Sequence, residues 1–161
     1  MAREASINSS SIRIPASIKA EHEEIHSTLI AATKAPGRVG AAARELADVL
    51  HPHFVREEQI ALPPLGLLAP LLAGDELPES AVSEALSLTE ALRAELPKML
   101  GEHKAIRAAV EKLRLAARAE RATKYEHLAE QLALHAQTEE EVLYPAATLV
   151  GDVLRARYRS K

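Results

Sequence analysis

Two stretches of this chain place a histidine one helical turn before a glutamate. Segment 53–63 reads HFVREEQIALP and segment 135–145 reads HAQTEEEVLYP. At an offset of 82 residues His53 aligns with His135, Glu57 with Glu139, Glu58 with Glu140, Ile60 with Val142 and Pro63 with Pro145. A second pair, EHEEI at 21–25 and EHKAI at 102–106, aligns His22 with His103 and Ile25 with Ile106. The chain thus writes a single His, then H-x-x-x-EE, twice over. Residues i and i+4 of a helix lie about 40° apart, so His53 and Glu57 face one way, as do His135 and Glu139. Four imidazoles and two carboxylates gathered in an interior are costly unless something compensates them. A pair of metal ions does so. Neutral imidazole suits iron, zinc or copper, and a carboxylate can bridge two cations. The symmetric arrangement gives two histidines per metal, with Glu57 and Glu139 bridging. Open positions remain for water, an oxo or hydroxo group, or a diatomic gas.

Helices must carry these residues. Apolar Ile18, Ile25, Leu29 and Ile30 recur near helical spacing from Ser17 to about Lys34, after a polar, Ser-rich tail over residues 1–13. Ala35-Pro36-Gly37 stops this first helix. A second runs from about Arg38 to Leu62 on a stripe of Leu46, Val49, Leu50, Phe54 and Ile60, bent at Pro52 and ended by Pro63-Pro64. The third extends from about Glu79 to Ala119, and Pro97 is expected to kink or split it. Thr123 and Glu126 read as a capping box opening the fourth, which reaches about Tyr144. Pro145 begins a short final helix to about Tyr158. No strand signal is present. Two helical hairpins make an all-α, up-down four-helix bundle over residues 14–150, with a C-terminal helical extension over 151–161.

Bulk properties narrow the function. The 161 residues, 47% hydrophobic and 27% charged, fit one globular domain. A net charge of −3 argues against nucleic acid as a partner. The absence of cysteine excludes disulfides, zinc–thiolate sites, iron–sulfur clusters and thiol nucleophiles. The start lacks an apolar signal region, and the greasiest stretch, Ile60 to Ala73, is short and broken by prolines. No membrane role and a cytoplasmic location are the expectation.

At His22, His53-x-x-x-Glu57, His103 and His135-x-x-x-Glu139 the chain resembles the hemerythrin-like (HHE cation-binding) domain family, over roughly residues 15–150. The resemblance implies a bundle around a non-haem di-iron centre, two iron ions held by these six residues. It also implies a protein that binds, senses or detoxifies dioxygen, nitric oxide or peroxide, or protects iron centres from oxidative and nitrosative damage. The chain departs from oxygen-carrying relatives on the third helix. One turn after His103 stands Arg107, whereas His26 lies one turn after His22. His26 is therefore a candidate additional ligand, or a side chain supporting one.

The remaining candidates have plainer readings. His51 and His127 read as surface or structural residues. Glu58 and Glu140, about 140° from their histidines, read as surface charge or ligand support. Arg107 pairs with a carboxylate, gates the site, or lies along the surface. Tyr125 and Tyr144 read as packing. The apolar run 65–72 is either a homodimer patch or a buried connection. Alternatives to the di-iron reading are a ferritin-like oxidase, for which only Glu23-x-x-His26 fits, and a single-metal bundle of the DinB-like kind. A third is a metal-stabilised binding or sensor module that acts through a protein partner, without turnover.

Overall fold

The computed structural model describes residues 11–158, and every regular element among them is helical. They are α1 (Ala16–Thr33), α2 (Gly37–Ile60), a 3₁₀ turn (Pro63–Leu67), α3 (Leu68–Ala73), α4 (Glu79–Ala119), α5 (Thr123–Thr138), a π-turn (Glu139–Leu143) and α6 (Tyr144–Tyr158). Short links 34–36 and 120–122 reverse the chain between α1 and α2 and between α4 and α5. The four packed pairs α1–α2, α2–α4, α4–α5 and α1–α5 close a four-helix bundle. Among the described residues no helix is long and apolar enough to cross a membrane.

The bundle ends are tied by side chains as well as loops. Gly37, at φ +70°, opens α2 and brings it against Glu120 at the end of α4. The Glu120 carboxylate accepts the backbone N–H groups of Arg38 (2.6 Å) and Val39 (3.3 Å), two of the donors that a helix start leaves free. The capping box expected at Thr123 does not form. Ala122 occupies the cap position, its carbonyl accepts the N–H groups of Tyr125 and Glu126, and Glu126 turns outward to pair with Arg118.

Helix α4 runs unbroken through Pro97, so the expected split does not occur. Between α5 and α6 there is no loop either, only the widened turn at 139–143. The fourth rod therefore continues past the site, and α6 packs on the first half of α4. The expected N-terminal tail lies outside the described residues up to residue 10. Beyond that, Ile12 is buried against Leu67, Ala81 and Val82. In the 65–72 run Leu65 and Leu67 are buried, while Leu68 and Leu72 are exposed.

The core comes in layers. At one end pack Ile25, Leu29, Leu46, Leu50, Ile106, Leu113, Leu128 and Leu132. At the other pack Ile60, Leu62, Leu92, Met99, Tyr144 and Ala147, followed by a third cluster around Val82 and Leu154. Along α1 and α4 the buried histidine falls between the residues of the first cluster and those of the second.

Candidate metal centre

Seven polar or charged residues are buried among the described residues, and six of them are His22, His53, Glu57, His103, His135 and Glu139. The bundle brings all six together. They form two overlapping sets, His22–Glu57–His135–Glu139 and His53–Glu57–His103–Glu139, with ligand-type atoms within 4.8 Å of one another in each. Both glutamates belong to both sets, the arrangement expected of carboxylates shared by two cations.

Each imidazole is held from behind by a carboxylate of another helix. Nδ1 of His22 donates to Glu58 (3.1 Å), and Nδ1 of His103 donates to Glu140 (2.7 Å). Likewise His53 donates to Glu102 (2.8 Å) and His135 to Glu21 (3.1 Å). The pattern is two-fold, since the repeat that relates His22 to His103 also relates Glu58 to Glu140 and Glu21 to Glu102. A carboxylate only accepts, so every Nδ1 carries the proton and every Nε2 turns inward.

Four Nε2 atoms therefore converge. Those of His22 and His135 stand 3.1 Å apart, and those of His53 and His103 stand 2.9 Å apart. In the neutral form that a metal binds, two imidazoles cannot satisfy each other through two lone pairs. Two nitrogens bound at about 2.1 Å to one metal, near a right angle, do lie about 3 Å apart. With every Nε2 unprotonated, Glu57 Oε2 and Glu139 Oε1 are buried without a hydrogen-bond donor, although His135 Nε2 lies 2.7 Å from Glu139 Oε1. An orphaned carboxylate oxygen in an interior is expensive, and a cation is what both lack. The donor set of four imidazole nitrogens and two carboxylates fits divalent transition ions.

Electrostatics agree with a site built for positive charge. Burial pushes the His53 pKa down, but the hydrogen bond and charge of Glu57 outweigh it and hold it at about 9. His135 is held at about 9 in the same way, by Glu139 against burial. Burial also works against ionised Glu139, yet hydrogen bonds from His103, His135 and His22 keep its pKa well below the ordinary range. For Glu57, burial and the charge of Glu139 win, and its pKa rises.

No family model, curated protein or solved structure matches this chain. The site thus rests on its own geometry.

Tyr144, read from the sequence as packing, belongs to the centre. Its hydroxyl donates to Glu57 Oε1 and lies 3.3 Å from His103 Nε2. Burial, then the charges of Glu57 and Glu139, raise its pKa and keep the phenol protonated. The cause of the misreading is the π-turn. In a regular helix a residue five after Glu139 points about 140° away from it. Here the Tyr144 N–H bonds to the Glu139 carbonyl, five residues back, and the wider turn rotates Tyr144 inward. The first half does the same, with the Leu62 N–H bonding to the Glu57 carbonyl at 3.0 Å. A proline follows each wide turn, Pro63 and Pro145, and neither can donate to the carbonyl four residues back. The repeated P is the legible signal of this geometry. The outer carboxylates Glu21 and Glu102 also had a signal, the repeated EH.

His26 is not brought to the centre. It is exposed and stands beside exposed His51, with ring centroids 5.8 Å apart. Phe54 takes the inner position instead, stacked on His22 at 4.2 Å and 11°. Arg107 pairs with Glu140 at 2.7 Å, His127 is exposed, and Tyr125 packs on the first core cluster.

Proposed function

We propose that this chain is a hemerythrin-like di-iron protein that binds, senses or detoxifies a small oxidant such as dioxygen, nitric oxide or peroxide. The observation that carries the reading is the pair of overlapping ligand sets sharing both Glu57 and Glu139. His22 and His135 would hold one iron, His53 and His103 the other, and the two carboxylates would lie between them. A pair of irons held in this way supplies reversible binding and reduction of small oxygen and nitrogen species.

The protein's own part is to orient, exclude water and keep a proton close. The four outer glutamates fix each imidazole with Nε2 inward and raise its basicity. Leu50, Phe54, Ile106 and Leu132 roof the centre with apolar side chains, which limits water and strengthens every polar interaction below. Tyr144 donates its hydroxyl proton to Glu57, with the hydroxyl oxygen 3.3 Å from His103 Nε2, on one side of the centre alone. Its repeat counterpart is Leu62, so the two halves differ here. One would carry a phenol hydrogen-bonded to a ligand-type carboxylate and the other an apolar side chain.

The test is elemental analysis of the purified protein, with an absorption spectrum of the same sample. The expected result is two irons per chain and near-ultraviolet charge-transfer bands that shift on adding azide. One metal per chain, or none after reconstitution of the reduced apoprotein with ferrous iron, overturns the reading.

A further inference from the structure

The inner residues follow the two-fold repeat, but the two outer faces above them do not. On the α1–α2 face, Glu23, His26 and His51 line a cavity of about 200 Å³, with Glu58, His22 and Phe54 as its floor. The repeat-equivalent positions on the α4–α5 face are Lys104, Arg107 and Ala133. There Arg107 closes on Glu140, the carboxylate that holds His103. One face thus offers two imidazoles and an acid, and the other offers two cations.

The first face gathers ligand-type side chains whose donor atoms, as placed, are not yet at mutual ligating distance. Glu23 and His26 are three residues apart on α1 and share a face. His51 comes from α2, its ring centroid 5.8 Å from that of His26. Two imidazoles sharing one ion with metal–nitrogen bonds of about 2.1 Å have centroids roughly 4.5–5.5 Å apart, so these two rings need to close by only a few tenths of an ångström. Both rings are exposed, so they can turn their nitrogens to a common point. Directly below, Glu58 accepts from His22 Nδ1 and leads to the inner ligands.

We propose that Glu23, His26 and His51 form a second, surface-exposed site for a divalent transition cation, and that cations reach the buried centre through it. The surface site stands on its own residues; its delivery role rests on the reading of the buried centre given above. The arrangement gives a reason for His26 standing where the repeat has Arg107. A passing cation needs weak, exposed ligands at one mouth and repulsion at the other.

The experiment compares the metal-free full chain with its His26→Ala/His51→Ala variant, both titrated with Co²⁺ and followed by visible absorption and chelator challenge. Circular dichroism first checks that the variant folds. The wild type is expected to hold two chelator-resistant ions and one labile ion. The variant should lose the labile one and fill the resistant positions at least 10-fold more slowly, to the same final occupancy. Equal stoichiometry and equal rates in the two proteins overturn the proposal. Loss of the labile ion with an unchanged filling rate overturns the delivery role. A labile ion that depends on His26 and His51, in a protein that retains no resistant ions, supports the surface site and refutes the buried di-metal reading.

Discussion

Each inward-facing imidazole depends on a carboxylate that a neighbouring helix supplies, so single residues one place away from the ligands control them. Glu102 lies about 100° around α4 from His103, at the seam with α2, and therefore serves His53 and not its own neighbour. Glu102→Gln replaces the acceptor charge with an amide of the same shape. Metal affinity should fall about 10–100-fold with the fold intact, measured by competition with a coloured chelator. Glu21→Gln should act alike through His135. Proton linkage offers a second check. In the metal-free protein His53 and His135 titrate near 9, above the ordinary imidazole value of 6.5. The folded state therefore binds more protons than the unfolded state between these values. Their stabilising contribution is complete below about pH 6.5 and is lost as pH rises through about 9. The Tm of chelated protein should drop across that window, while metal-loaded protein, whose lone pairs are already engaged, should show no such slope. A flat profile for the chelated protein would refute the assignment. The six inner residues were legible in the sequence because ligand types and helical spacing coincide. Glu21 and Glu102 were harder to see, because a residue beside a ligand reads as surface until the partner helix is in place.

At the scale of elements, the wide turns at Glu57 and Glu139 decide what lies below the centre. Tyr144→Phe keeps the ring in its pocket and removes only the donor to Glu57. Metal content should equal that of the unsubstituted protein. The azide-induced absorption shift should weaken or move, because the carboxylate loses its one protonated oxygen partner on that side. An unchanged azide titration would place Tyr144 in packing after all. Past that turn, α6 approaches α4 so closely that a Cβ on Gly151 would meet Thr89 Oγ1 at 2.3 Å and its Cβ at 2.8 Å. Both residues are buried, and among the described residues Thr89 is the one buried polar residue outside the centre. Gly151→Ala should destabilise by roughly 1–3 kcal/mol, read from denaturant unfolding, and adding Thr89→Ala should restore part of the loss. The order and approximate bounds of the long helices were legible from periodicity and the Pro/Gly punctuation, but the short α3 within the 65–78 stretch, read as a connection, was not. The π-turn was not, because apolar spacing alone cannot reveal a single residue of widening. Neither was the fate of Pro97, since a proline removes one backbone hydrogen bond but need not end a helix that its neighbours pack on both sides.

For the whole molecule, the polar centre is a plane of weakness set between apolar layers. The cluster around Leu46, Ile106 and Leu132 lies on one side, and that around Leu62, Leu92 and Met99 on the other. Across the plane the four rods are joined by the centre's own residues, with the outer pairs such as His53–Glu102 around it. Without cations, and with the histidines neutral, Glu57 Oε2 and Glu139 Oε1 are unsatisfied there, and the conflict falls at one level of the bundle. An ion that binds only the folded state adds RT ln(1 + [L]/Kd), about 4 kcal/mol at a thousandfold excess over Kd. For a chain of this size that corresponds to roughly 10 °C in Tm. Chelation should therefore lower Tm by about that amount or more without changing helix content at 25 °C. The loosening should also be local. Amide exchange in the metal-free protein should rise around residues 22, 53, 103 and 135, while the backbone near Leu46 and Leu113, deep in the first cluster, keeps its protection. Uniform loss of protection along every helix would mean that metal supports the bundle as a whole and that the layers are not separable units. No change anywhere would mean that the six buried residues are satisfied without a cation, which their geometry opposes.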